Sequence, residues 1–168
     1  METGNGIFDA LAYFTQLAEH NRLCVENGFK PVICSGIESL QGVLQEYQKT
    51  ANFICIDDTA DQNMHTKGVT FFKKRVYTVF IVAQYKWDDM KERQQKLNLC
   101  RKIFSQFVSR VIHDKNSDEY FDDMEFVNVD NIYSREFGKY SWNGVTGLYF
   151  MLENDEPEDL VMEAEDWL

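Results

Sequence analysis

Residues Thr70 to Trp87 read T-F-F-K-K-R-V-Y-T-V-F-I-V-A-Q-Y-K-W. β-branched and aromatic residues dominate this stretch, which is the strongest strand signal in the chain. From Val76 to Ala83 nearly every residue is apolar. A strand with no polar face must be covered on both sides. The opening, with Lys73, Lys74 and Arg75, is polar. The run exceeds the roughly 3–10 residues of an ordinary strand. It is therefore expected to bend at a bulge, or to project beyond the sheet as one arm of an extended hairpin.

Downstream lies the best-defined helix. Asp88 is placed to cap it, and it runs from about Asp89 to Ile112. Met90, Leu97, Cys100, Phe104, Phe107, Val108 and Val111 form an apolar stripe, and Lys91, Arg93, Lys96, Arg101, Lys102 and Arg110 decorate the rest. Upstream, Phe53 to Ile56 reads as a short buried strand closed by Asp57 and Asp58. The polar stretch from Thr59 to Gly68 reads as an exposed loop.

The N-terminal third supplies two more helices. Ile7, Leu11, Phe14, Leu17 and Ala18 recur at helical steps, with Asn5 as cap, and this helix is expected to reach Leu23. Asn27-Gly28 and Pro31 end it. Val32 to Cys34 is a short apolar piece that either pairs as a strand or bridges. Ser35-Gly36-Ile37-Glu38 has the form of a capping box and opens a helix that ends before Asn52.

After an acidic connector from His113 to Asp123 come two strand candidates, Met124–Tyr133 and Gly144–Leu152, joined by a turn-like segment. From Glu153 onward the chain carries eight acids and no base. Leu160, Val161, Ala164, Trp167 and Leu168 nevertheless fall at helical spacing. This end is read either as a solvated tail or as an amphipathic arm with a short helix that docks on a partner.

The order of elements predicts an α+β fold. About four strands form an antiparallel or mixed sheet, with two to three helices on one face. Residues 1–154 are expected to form a single domain, and 155–168 an acidic arm. At 14% the aromatics are abundant, which predicts a ring-rich core. The longest apolar run falls well short of the ~18 residues of a membrane span. The opening M-E-T-G-N-G does not read as a signal peptide. The four cysteines, Cys24, Cys34, Cys55 and Cys100, form no C-x-x-C pair and are expected to be reduced thiols in an intracellular protein.

Charge is unevenly distributed. Between Lys67 and Lys115 lie 12 of the 17 basic residues and four acids, whereas the whole chain carries −11. Oppositely charged solvated faces account for this, and so does a molecule built to stack head to tail. The overall sign disfavours bulk nucleic-acid binding.

Catalytic motifs are absent: there is no P-loop, no G-x-G-x-x-G, no G-x-S-x-G and no H-E-x-x-H. His20, His65 and His113 are scattered. Asp57, Asp58 and Asp61 form the densest carboxylate group and read as a solvated turn. One loose pattern resembles PD-(D/E)XK nucleases. Asp57 or Asp58 precedes Gln84-Tyr85-Lys86, with Glu38 upstream, and that family would hold Mg²⁺ on such carboxylates. No enzyme activity, cofactor or metal is expected, and this nuclease pattern is the second alternative.

Four stretches carry a broader resemblance: F-I-C-I-D-D (53–58), V-Y-T-V-F-I-V-A-Q-Y-K (76–86), the Asp88–Ile112 helix, and W-N-G-V-T-G-L-Y-F-M-L-E (142–153). Their layout resembles the small tail-terminator and head–tail joining proteins of long-tailed phages. The resemblance spans Ile7 to Asn154 and rests on the order of elements, since no single residue is diagnostic. The helix from Ser35 to Gln48 and the acidic arm are additions to the family pattern.

The resemblance implies a non-enzymatic structural protein of a phage-like particle, in the virion or the host bacterial cytoplasm. It implies a homo-oligomeric ring at the tail end or head–tail junction, with other virion proteins as partners. Neither a small-molecule substrate, nor sequence-specific nucleic acid, nor a membrane is expected. Lys73, Lys74, Arg75, Arg101, Lys102, Trp167 and Leu168 are the expected subunit interface. In that interface the acidic arm or connector would meet the basic Lys91–Arg110 helix of a neighbour. The alternative reading is a cytoplasmic protein-binding adaptor.

Overall fold

A computed structural model describes residues 8–47, 52–139 and 144–168. The expected Asn5 cap, the Glu38 side chain of the capping box and the Trp142-Asn143 turn lie outside the described residues. The elements are α1 (Ala10–His20), α2 (Arg22–Glu26), β1 (Phe29–Cys34), α3 (Gly36–Tyr47), β2 (Asn52–Lys67) and β3 (Thr70–Gln84). They continue with α4 (Met90–Lys115), α5 (Phe121–Met124), β4 (Val127–Glu136) and β5 (Val145–Pro157). The fold is α+β, around one five-stranded mixed sheet of order β1-β2-β3-β5-β4.

The long apolar strand is the centre of this sheet. β3 pairs antiparallel with β2 on one side and with β5 on the other. β1 adds to β2 in parallel, from Phe29↔Asn52 to Cys34↔Asp57. A parallel neighbour needs a crossover connection, and α3 supplies it. The expected single helix to Leu23 is two helices. Asn21 has an extended backbone (ψ 123°); its N–H closes α1 on the Leu17 carbonyl, and its side chain accepts from the Cys24 N–H to open α2. One asparagine is thus both a C-terminal stop and an N-terminal cap.

Alternation along the strands builds two cores. Ile54, Ile56, Val79, Ile81, Leu148, Phe150 and Leu152 face α1, α2 and α4. Their neighbours Phe53, Cys55, Phe80, Val82 and Val145 point the other way, toward Leu44 of α3 and toward Phe137. The helices therefore divide between the faces, α3 lying alone on the second. The first core is ring-rich as expected: Phe14 sits 6.4 Å from Phe107 and 5.5 Å from Phe150. Along α4 the buried stripe is Leu97, Cys100, Ile103, Phe107 and Val111. Met90, expected inside, is 49% exposed. Asp89, not Asp88, caps the helix, its carboxylate accepting from the Glu92 N–H at 2.9 Å.

Asp114, within the expected acidic connector, is 1% exposed at the end of α4. The Tyr13 hydroxyl donates to its Oδ2 at 2.9 Å, and Arg110 Nε donates to both oxygens at 2.7 and 2.8 Å. This clamps α1 to α4. Burial alone would raise the Asp114 carboxyl, but the hydrogen bonds from Arg110, His113 and Tyr13 outweigh it and hold it below the ordinary carboxylate value.

Two outcomes follow from this packing. Gly147 has φ 145°, and a Cβ there would collide with the Ile81 carbonyl across the β3–β5 ladder. Gly147→Ala is expected to lower unfolding stability by about 3 kcal/mol or more, read by urea denaturation. Because the native pKa of Asp114 is depressed, its stabilisation is complete above the unfolded value near 3.8 and is lost as pH falls through the native one. Asp114→Asn is expected to cost about 1–3 kcal/mol at neutral pH. It should also flatten the acid side of the stability–pH curve, and an unchanged acid slope would count against the clamp.

Candidate interaction surface

The segment expected to be a loop, Thr59 to Gly68, is instead the outer half of β2. It pairs with β3 from Ala60↔Tyr77 to Lys67↔Thr70, and the chain reverses at Gly68, which has φ 65°. The side chains that mislead are Asp61, Gln62, Asn63 and Lys67, polar residues suited to a strand with no core to face. β5 extends past its expected end at Leu152 to Pro157, which pairs with Phe72. The first residues of the expected acidic arm are thus ordered strand.

The result is a three-stranded arm. From Ala60 in β2, and up to Thr78 in β3, no residue is buried. Of the two expectations for the long strand, the hairpin arm is the one met: β3 pairs with β5 without a break, and the bulge lies in its partner β2. Asp57, Asp58 and Thr59 stand between Ile56↔Val79 and Ala60↔Tyr77, opposite the single residue Thr78. Asp57 Oδ1 accepts from the Gly36 N–H, the Thr59 N–H and the Thr59 hydroxyl, at 2.9, 2.9 and 2.7 Å.

Charge complementarity runs along the arm. On one face Lys73 meets Glu158 at 3.4 Å, and Arg75 meets Glu156 at 3.6 Å. On the other, Lys74 meets Glu153 at 3.7 Å, while Asp155 takes His65 and Lys67 at 2.7 Å each. Lys67 Nζ also sits 4.6 Å over the Phe72 ring, against which His65 stacks. Burial would raise the Asp155 carboxyl, but hydrogen bonds from Lys67 and His65 prevail and lower it. Each pair is partly solvated and contributes at most about 1 kcal/mol. Together they neutralise the arm and fix its strand pairing.

The expected interface residues therefore divide. Lys73, Lys74 and Arg75 are engaged with β5 of their own chain. Arg101 forks onto Glu136 of β4 at 2.6 and 2.8 Å and lowers that carboxyl. Lys102 is exposed and has no ion pair among the described residues. Trp167 is 71% exposed, and Leu168 is fully exposed. The cations could not be assigned from sequence because their partners depend on the β3–β5 register.

Sequence reasoning missed the tip. Val69 is 98% exposed, and Met64 and Phe71 are about half exposed. Beside them the chain leaving β5 presents Leu160, Val161 and Met162, also exposed. A shallow groove of about 580 Å³ runs between Val69–Phe71 and Pro157–Val161. The available signal was V-T-F-F directly after a turn glycine, an apolar run where a hairpin tip is ordinarily polar.

The nuclease-like pair of Asp57 and Gln84 is not brought together. Asn52 Oδ1 accepts from the Gln84 N–H, so Gln84 lies at the start of β2, five residues from Asp57. Five strand residues separate them by about 16 Å. The nuclease-like ligands Asp57 and Gln84 thus stand at opposite ends of the buried part of the sheet, and Asp57 is occupied as a structural acceptor. Among the described residues no group of three His, Cys, Asp or Glu is placed to hold a metal. All four cysteines are buried free thiols, and burial pushes Cys24 and Cys100 up to about 12. No described helix is long and apolar enough to cross a membrane.

A scan against models of known protein families matches none of them, and a search of curated proteins finds no relative.

A mutational test follows from the arm. Asp155→Ala removes the acceptor shared by His65 and Lys67. It is expected to cost about 1 kcal/mol or less in global stability. Amide hydrogen exchange should nonetheless accelerate selectively from Asn63 to Phe72. Unchanged local exchange would show that these pairs do not hold the arm.

Proposed function

We propose that this chain is a non-enzymatic structural subunit that assembles into a ring at the tail end or head–tail junction of a phage-like particle. The observation that carries the reading is the arm. A three-stranded ribbon leaves the core, neutralises its own flanks with ion pairs, and ends in exposed Val69, Phe71 and Met64. Apolar residues clustered and exposed at the end of a projection mark an interaction site. A subunit that must reach a neighbour has a use for such a site. A ring repeats one heterologous contact until it closes, which requires two different surfaces per subunit.

The order of elements supports the phage-like setting, with the long hairpin followed by a long amphipathic helix and a closing strand pair. The protein-binding adaptor is what remains if self-assembly fails.

Native mass spectrometry across protein concentration and salt tests the proposal. A closed oligomer of one fixed subunit number, weakened by added salt, is expected. A monomer from micromolar to millimolar protein would sink the ring reading and leave the adaptor.

A further inference from the structure

The sheet has two ends, and each carries exposed apolar residues. At the arm end are Val69, Phe71 and the segment from Glu158 to Leu168. At the opposite end, where β3 stops and α4 starts, Trp87 is 37% and Met90 49% exposed. Both places also carry charges without an ion pair, of opposite sign. The arm's cations are consumed by β5, and Arg110 by Asp114. At the base, Lys86, Lys91 and Lys96 have no ion pair among the described residues. Neither do Asp159, Glu163, Glu165 and Asp166 of the C-terminal segment.

The base is not purely cationic, since Asp88, Asp89 and Glu92 stand there too. Asp89 and Glu92 are engaged, however, accepting from the Glu92 and Lys86 backbone N–H groups.

Distance prevents a chain from joining its own two ends. Phe72 pairs with Pro157 and Gln84 with Val145, so 12 residue steps separate tip from base. That is about 40 Å of strand. β5 runs toward the tip, so the C-terminal segment leaves pointing away from the base. Its ten steps from Glu158 to Leu168 span at most about 36 Å fully extended. They would also have to double back, and Trp87 and Met90 lie beyond Gln84.

From this we propose that the C-terminal segment of one copy, with Trp167 and Leu168 as its apolar anchors, docks on the Trp87–Met90 base of a second copy. The acids between Asp159 and Asp166 face Lys86, Lys91 and Lys96 across this contact. The contact is head to tail and heterologous, as a ring or a filament requires. The inference rests on the self-assembly reading and names the surface that would carry it.

Separate Met90→Cys and Leu168→Cys chains, mixed and treated with a short bis-maleimide, test it, since the native thiols are buried. A cross-linked heterodimer is expected only in the mixture. Lys86→Glu with Lys91→Glu and Lys96→Glu should raise the concentration needed for assembly on the order of tenfold or more. Mixing that variant with Glu163→Lys/Glu165→Lys/Asp166→Lys chains should restore assembly, which a merely misfolded variant would not do. An oligomer that persists without residues 158–168 and gives no mixed cross-link overturns this contact but leaves self-assembly standing. A full-length chain monomeric under all conditions overturns both.

Discussion

Asp57 holds the point at which this fold changes character. Its carboxylate accepts from the N–H of Gly36, at the start of α3, and from the backbone and hydroxyl of Thr59, two residues along its own strand. Before it, β2 is a core strand with β1 on one side and β3 on the other. After it, β2 has lost β1 and continues as the free edge of the arm. The bulge absorbs two extra residues at that junction, so the strand resumes pairing with a polar, solvent-tolerant sequence. A buried carboxylate with three donors is well satisfied, whereas loss of the acceptor would leave backbone donors unpaired in a partly buried site. The crossover helix, the end of the parallel pairing and the start of the arm therefore share one set of hydrogen bonds.

The charge asymmetry takes on a different meaning once the register is known. The sequence separates a basic middle from acidic ends, which suggests that the two meet between molecules. Most of the meeting takes place within one chain, because β5 brings Glu153, Asp155, Glu156 and Glu158 alongside Lys67, Lys73, Lys74 and Arg75. Neutralisation inside the arm frees it to project without strong self-repulsion. Lysines without an ion pair remain at the base, at Lys86, Lys91 and Lys96, and acids remain in the C-terminal segment, in both places beside exposed apolar residues.

Much of the architecture was legible in the residues. The apolar run from Val76 to Ala83 demanded coverage on both faces, and the mismatch between its length and that of a usual strand announced the hairpin arm. The amphipathic period of α4 placed a helix close to its true limits. Features decided by tertiary contact were not legible. Nothing local marks Asn21 as an interruption, since a polar residue in a helical stripe is ordinary. Asn63 to Lys67 look like a loop because a two-sided solvent-exposed strand needs no alternation. Asp114 looks like its acidic neighbours until Tyr13, a hundred residues away, closes over it. Of the residues assigned to an interface, the C-terminal aromatic and leucine are exposed, and four of the cations have partners within their own chain.

If the chain self-assembles as proposed, the free edges of its sheet favour end-to-end contacts over lateral ones. An exposed strand edge is a template for pairing, and natural sheets blunt it with proline, charge or bulges. β1 carries Pro31, which lacks a donor, next to Lys30. β4 departs from regular register between Asn128 and Tyr133, where the Asn128 side chain accepts from the Asp130 N–H. The edge of β2 beyond the bulge is regular, but it is lined by Asp61, Gln62, Asn63 and Lys67, with His65 drawn inward to Asp155. All three edges thus discourage strand addition, each by a different device. The arm tip, Met90 at the base and the C-terminal segment carry no such device, while at Trp87 the Lys139 ammonium sits 5.3 Å over the ring. In the proposed assembly, a chain that guards its lateral edges and leaves its ends apolar would make its contacts along the length of its strands.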